Sequence, residues 1–270
     1  MAEKPLTANA QWSFSRLSTY DECPYAFYLR YMQDPPLPDE GNAWSDFGLL
    51  CHSLLEEYAL GKLSMFDLAD EYKRRYPGAV VHNFPPFPKG YADKTYQQGL
   101  DYFNGFDGFN EDVYEIVSAE ERFEIEVGGN TLVGISDLVL RDRNTGGLVV
   151  MDHKTKSVSS MKHDYDLYRN QLYLYAKDIF IRYGRYPEKL IFNMLKAPDQ
   201  SIVEPFSLEQ MEKTERWISD RIDNIYLEDQ WPALKAQEIL DGKGDYYCRF
   251  ICPVFSYCYE AQEAMQKRKR

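Results

Sequence analysis

The spacing of apolar and polar positions divides the chain into helical and extended stretches. A helical stretch opens at Ser15, read as its N-cap, with Leu17, Tyr20, Phe27 and Tyr31 near helical spacing. Pro24 bends or restarts it. Phe47, Leu50, Leu54, Leu55 and Tyr58 form an apolar stripe over residues 46–58, and further helices are predicted over 64–76 and 93–103. Residues 77–90, rich in proline and aromatics, read as an ordered loop. The period then changes. Residues 120–127 alternate, with Phe123, Ile125 and Val127 on one side, and residues 131–140 and 148–151 are apolar and β-branched around a turn-rich segment at 141–147. This predicts an antiparallel three-strand meander over 120–152. A long helix over 163–183, a short strand over 190–195 and a helix over 207–229 opened by Ser207 follow. The reading is an α/β fold in one domain, 1–270, with a lead-in at 1–12, a cysteine-rich region at 246–259 and a basic tail at 260–270.

The hairpin carries the first chemical signal. A turn centred between Asn144 and Thr145 sets Asp137 opposite Asp152. Lys154 shares the face of Asp152, and His153 points the other way. Two close carboxylates repel unless something neutralises them, and hard oxygen ligands suit Mg²⁺ or Mn²⁺. Two aspartates and a lysine equally describe a surface hairpin, but Val150 and Met151 beside them indicate a buried strand end. On the predicted second helix, His52 and Glu56 stand at i and i+4 and share a face, as do Gln171 and Tyr175 farther on.

Composition narrows the function classes. A hydrophobic content of 44% is enough for a substantial core. No run reaches the length of a membrane span, and the N-terminus lacks the apolar stretch of a secretory signal, so the expected location is cytoplasmic, without membrane association. With 31 Lys+Arg against 43 Asp+Glu, the net charge of −12 argues against broad coating of nucleic acid. Five cysteines in a reducing compartment call for something other than disulfides. Cys248, Cys252 and Cys258 cluster, Cys23 lies far upstream, and Cys51 reads as a packed thiol. Four thiolates hold either structural Zn²⁺ or an iron–sulfur cluster, and their spacing does not choose.

In order, the chain carries Gly48/His52/Glu56, Gly134/Asp137, Asp152/Lys154/Thr155 and Gln171/Tyr175. This series resembles the RecB-like exonuclease branch of the PD-(D/E)XK nuclease superfamily, over nearly the whole chain. The resemblance implies a restriction-endonuclease-like core: a mixed central sheet flanked by helices, its ends joined by a metal cluster. It implies that His52, Asp137, Asp152 and the backbone carbonyl of His153 bind Mg²⁺ or Mn²⁺. It makes Lys154 the catalytic lysine, sets Gln171 and Tyr175 beside the site, and leaves Glu56 as a supporting or second-metal group. Several members carry one N-terminal and three C-terminal cysteines around a 4Fe-4S cluster, which assigns Cys23, Cys248, Cys252 and Cys258 here and leaves Zn²⁺ as the alternative. CRISPR adaptation nucleases and AddB-type helicase–nucleases look like this.

The implied function is metal-dependent hydrolysis of DNA, exonucleolytic, on single strands or free ends. Implied partners are recombination, helicase or CRISPR adaptation proteins. No helicase P-loop is present, so any motor would be separate. Lys154, Lys156, Lys162, Arg169 and the terminal Lys267 to Arg270 are candidate DNA contacts, with tyrosines and phenylalanines available for stacking. Two other readings stand beside this one: a catalytically silent nuclease-like DNA-binding or assembly subunit, and an iron–sulfur redox protein.

Overall fold

The computed structural model describes residues 11–268. They form two compact units. One takes the chain up to Asn42, Glu126–Leu132 and the chain from Glu215, and the other takes Ala43–Ile125 and Val133–Thr214.

A five-stranded sheet runs in chain order: β1 (Tyr114–Val127), β2 (Asn130–Asp142), β3 (Leu148–Lys154), β4 (Lys189–Met194) and β5 (Ile202–Pro205). Gly128 and Gly129, both at positive φ, make the two-residue turn between β1 and β2, and so short a link joins antiparallel strands. β2 and β3 are antiparallel, β3 and β4 parallel, and β4 and β5 antiparallel, so the sheet is mixed. The β2–β3 ladder pairs Leu138 with Met151 and Val139 with Val150, the register expected from the turn. β5 escaped the sequence reading because it is short and carries a glutamate and a proline.

In the second unit, α3 (Ala43–Ala59), α4 (Leu68–Ala79) and α5 (Tyr91–Asn104) cover one sheet face. Phe47, Leu50, Leu54 and Leu55 of α3 join Tyr72, Phe103, Leu138, Val149 and Ile191 in one core. α7 (Tyr165–Tyr183) lies on the other face, where its Tyr175 ring meets Phe123 edge-on at 5.8 Å. The helix expected over 163–183 is α7, and the short α6 (Val158–His163) ahead of it was not anticipated.

In the first unit, α1 (Phe14–Glu22) is capped by Ser13, whose Oγ accepts from Arg16 N, and not by Ser15. Pro24 restarts the helix as α2 (Pro24–Phe27), because a proline ring suits the first helical turn. After α8 (Leu208–Leu227), the C-terminal segment folds as α9 (Leu234–Leu240), α10 (Tyr246–Phe250) and α11 (Tyr259–Arg268), none of them anticipated. These helices are short, and cysteines and aromatics break their apolar periodicity. The early and late segments are joined by Tyr25 N donating to Pro232 O, Asn42 Nδ2 to Ile251 O, and Trp217 Nε1 to Asp21. The expected lead-in up to residue 10, and Lys269 and Arg270 of the basic tail, lie outside the described residues. No helix of the described residues is long and apolar enough to cross a membrane.

Candidate metal centre

The hairpin places Asp137 one step beyond the Leu138–Met151 pair, level with Asp152. Its carboxylate Oδ2 accepts the His153 backbone N–H at 2.7 Å, which ties β2 to β3 at the site. His52 of α3 completes the approach from the helical layer. Its Nε2 lies 3.0 Å from the His153 carbonyl, and its Nδ1 faces Asp137 at 3.5 Å and Glu120 at 3.7 Å. With the carbonyl accepting from Nε2–H, the Nδ1 lone pair is turned toward the carboxylates. Among the described residues, His52, Glu120 and Asp137 are the group whose ligand atoms come within 4.8 Å of one another.

Glu120 was missed by sequence reasoning, which offered Glu56. Glu56 lies one turn beyond His52 but outside that group, and so does Asp152, whose carboxylate is turned to Lys154. Glu120 sits in β1 at φ 47°, left-handed backbone that is strained for a non-glycine residue in a strand. Nothing local marks it among 43 acidic residues, because it reaches the site through strand pairing.

Asp152 is 1% exposed, and neither of its side-chain oxygens receives a hydrogen bond. Lys154 Nζ stands 2.5 Å from Asp152 Oδ2, an ion pair lacking hydrogen-bond angles. Burial pushes the Asp152 carboxyl up to about 6 against the pull of Lys154, and burial raises Asp137 as well. For His52, burial disfavours the charged form, but Glu120, Asp137 and Asp152 outweigh it and raise its pKa. A cluster of buried carboxylates beside a histidine nitrogen is a donor set that a hard divalent cation satisfies.

Lys154 is held from the α7 side. Its Nζ donates to Gln171 Oε1 at 2.8 Å, and Gln171 Nε2 donates to Tyr175 OH at 2.6 Å. The i, i+4 spacing of Gln171 and Tyr175 thus builds a relay under the lysine. Gly134 keeps room for it: a Cβ there would stand 2.4 Å from the Phe123 ring that packs on Tyr175. The His153 side chain points away, as expected. It stacks on Phe109 at 5.4 Å and contacts Asn193, and burial depresses its pKa.

The other candidate DNA contacts are largely engaged. Lys156 donates to Asp164 and to Tyr168 OH, Arg169 pairs with Glu204, and Lys267 pairs with Glu263, while Lys162 is exposed.

In the first unit, Cys23, Cys248, Cys252 and Cys258 line one cavity with Ala26, Val254 and Tyr247. Burial pushes the Cys248 thiol up to about 12 and those of Cys252 and Cys258 up to about 11. Cys51 lies fully buried in the α3 core, as a packed thiol should.

No curated protein matches the chain. Among solved structures, a protein from Eubacterium rectale with the provisional name exonuclease is 11% identical over 85% of this chain and 86% of that one, with a TM-score of 0.47. The protein SSO0001 is 19% identical over 79% of this chain and 96% of that one, with a TM-score of 0.32. Neither score carries weight. The family comparison does: residues 11–259 match the PD-(D/E)XK nuclease superfamily. A match across that span, on a mixed sheet whose hairpin brings Asp137, Asp152 and Lys154 together, means that the chain belongs to the PD-(D/E)XK nuclease superfamily.

Proposed function

We propose that this chain is a single RecB-like nuclease domain that hydrolyses DNA phosphodiester bonds with Mg²⁺ or Mn²⁺, as an exonuclease. The observation that carries the reading is Asp152, a buried carboxylate paired with Lys154 and close enough to Asp137 and His52 to feel their charge. His52 Nδ1, Glu120, Asp137 and Asp152 would hold the cation. A bound divalent ion supplies Lewis acidity toward a phosphoryl oxygen and lowers the pKa of water there. The chain's own groups do the rest. Lys154, steadied by Gln171 and Tyr175, presents its ammonium to the phosphate and to the attacking water. The His153 carbonyl, accepting from His52 Nε2–H, fixes the histidine's tautomer and orientation.

The four cysteines of the first unit would hold a 4Fe-4S cluster that serves as a structural staple. The four cysteines line one cavity of the first unit, which supports a shared inorganic group there, with zinc as the alternative. Cytoplasmic DNA metabolism, with recombination, helicase or CRISPR adaptation proteins as partners, fits such an enzyme.

The test is product length on end-labelled single- and double-stranded DNA with each metal. Exonuclease action releases mononucleotides from an end at the earliest times, whereas an endonuclease yields internal fragments first. Anaerobic purification with iron and zinc analysis tests the cluster, and a colourless zinc protein would overturn it.

A further inference from the structure

Cations around the metal centre are mostly matched by carboxylates: Lys154 by Asp152, Lys156 by Asp164 and Arg169 by Glu204. Lys196 is different. Among the described residues no carboxylate pairs with it. Its half-buried ammonium lies over the Trp44 ring at 4.5 Å and the Phe47 ring at 5.2 Å. Burial lowers its pKa to about 8, with Lys94 adding to the effect. An ammonium drawn partly out of water without a counter-anion costs stability that two ring faces offset only in part.

Its place in the sheet says what it faces. β3 and β4 are the parallel pair, with Lys154 level with Met194, and Lys196 follows two residues later. The Leu195 N–H donates to the Lys154 carbonyl at 3.0 Å, so both lysines stand at the same end of adjacent strands, Lys154 turned to the α7 face and Lys196 to α3. Ligands bind at the carboxyl ends of parallel strands. Trp44 and Phe47 belong to α3, the helix that also supplies His52.

We propose that Lys196, held by Trp44 and Phe47, forms an anion subsite for a second phosphate of the substrate strand, apart from the one engaged by Lys154. The inference rests on the nuclease reading. Lys196 binds and aligns the strand, and the unpaired ammonium finds its counter-ion there.

The test measures binding of a labelled DNA strand by anisotropy across a salt series, with Ca²⁺ replacing Mg²⁺ to slow cleavage. Lys196→Gln should weaken binding several-fold for all sequences and lower the slope of log affinity against log salt by about one contact. Lys196→Arg should keep most of the slope, and KM should rise more than kcat falls in Lys196→Gln. The melting temperature of Lys196→Gln should be equal or higher. A wild type that binds DNA, with Lys196→Gln unchanged in affinity and slope, overturns this subsite and leaves the nuclease reading standing. A lower melting temperature with unchanged binding assigns the lysine to packing and also overturns it. A wild type that neither binds nor cuts DNA overturns both.

Discussion

The carboxylate centre takes Asp137, Asp152 and Lys154 from one hairpin, whereas the cysteine cavity brings Cys23 together with Cys248, Cys252 and Cys258 from the far end of the chain. Their electrostatics differ as much as their topology. The aspartates are buried beside an ammonium and a histidine, and burial raises the pKa of both carboxyls. The thiols stay protonated: burial raises the pKa of Cys248, Cys252 and Cys258. The proposed cluster would release protons on binding and close a loop across most of the chain. On the proposed reading, one centre is a tool on a finished scaffold and the other is part of the scaffold. Removing Mg²⁺ should stop chemistry and leave the fold intact, whereas removing the cysteine-bound group should loosen the first unit.

The largest effect expected is on chemistry. Lys154→Ala should lower kcat by about 10²–10³-fold with an unchanged circular dichroism spectrum, as befits a group that stabilises charge in the transition state. Cys258→Ser should do the reverse, losing iron and visible absorbance and melting on the order of 10 °C lower, with cleavage lost only as the fold is lost. Equal melting temperatures for Cys258→Ser and wild type would break the comparison.

Glu120→Gln should weaken Mn²⁺ binding by roughly 10–100-fold, read by calorimetry, while Glu56→Gln should change it far less. The reverse order would return the ligand role to Glu56.

The smallest effect concerns the cost of the buried carboxylate. The folded pKa of Asp152, about 6, lies above its unfolded value of about 3.9. Its burial therefore favours folding below pH 4, and that contribution is lost as pH rises through 6. In metal-free protein, Asp152→Asn should stabilise the fold by roughly 1–3 kcal/mol at pH 8 and by little at pH 4. A stabilisation independent of pH would show that Asp152 does not carry that cost.

The same contrast marks what was legible in the chain. Hairpin register follows from turn position and alternation, so the face shared by Asp137, Asp152 and Lys154 could be read from local spacing. Helical spacing puts Gln171 and Tyr175 side by side, but only the family resemblance set the pair beside the site. Glu120 and Lys196 were not legible, since each depends on which strands become neighbours. Ser13 replaces Ser15 as the α1 cap because two serines two residues apart offer the same local signal, and only the backbone at Ser13 is extended. The C-terminal helices were hidden because their positions serve the cysteine cavity as well as helix amphipathicity.

One measurement bears on the central claim most directly: cleavage of labelled linear DNA by wild type and Asp152→Ala, each with Mn²⁺, Mg²⁺ or EDTA. The account predicts metal-dependent cutting by wild type, none in EDTA, and none by a folded Asp152→Ala protein. Wild type that leaves DNA intact in both metals, or Asp152→Ala that cuts as well as wild type, would contradict it.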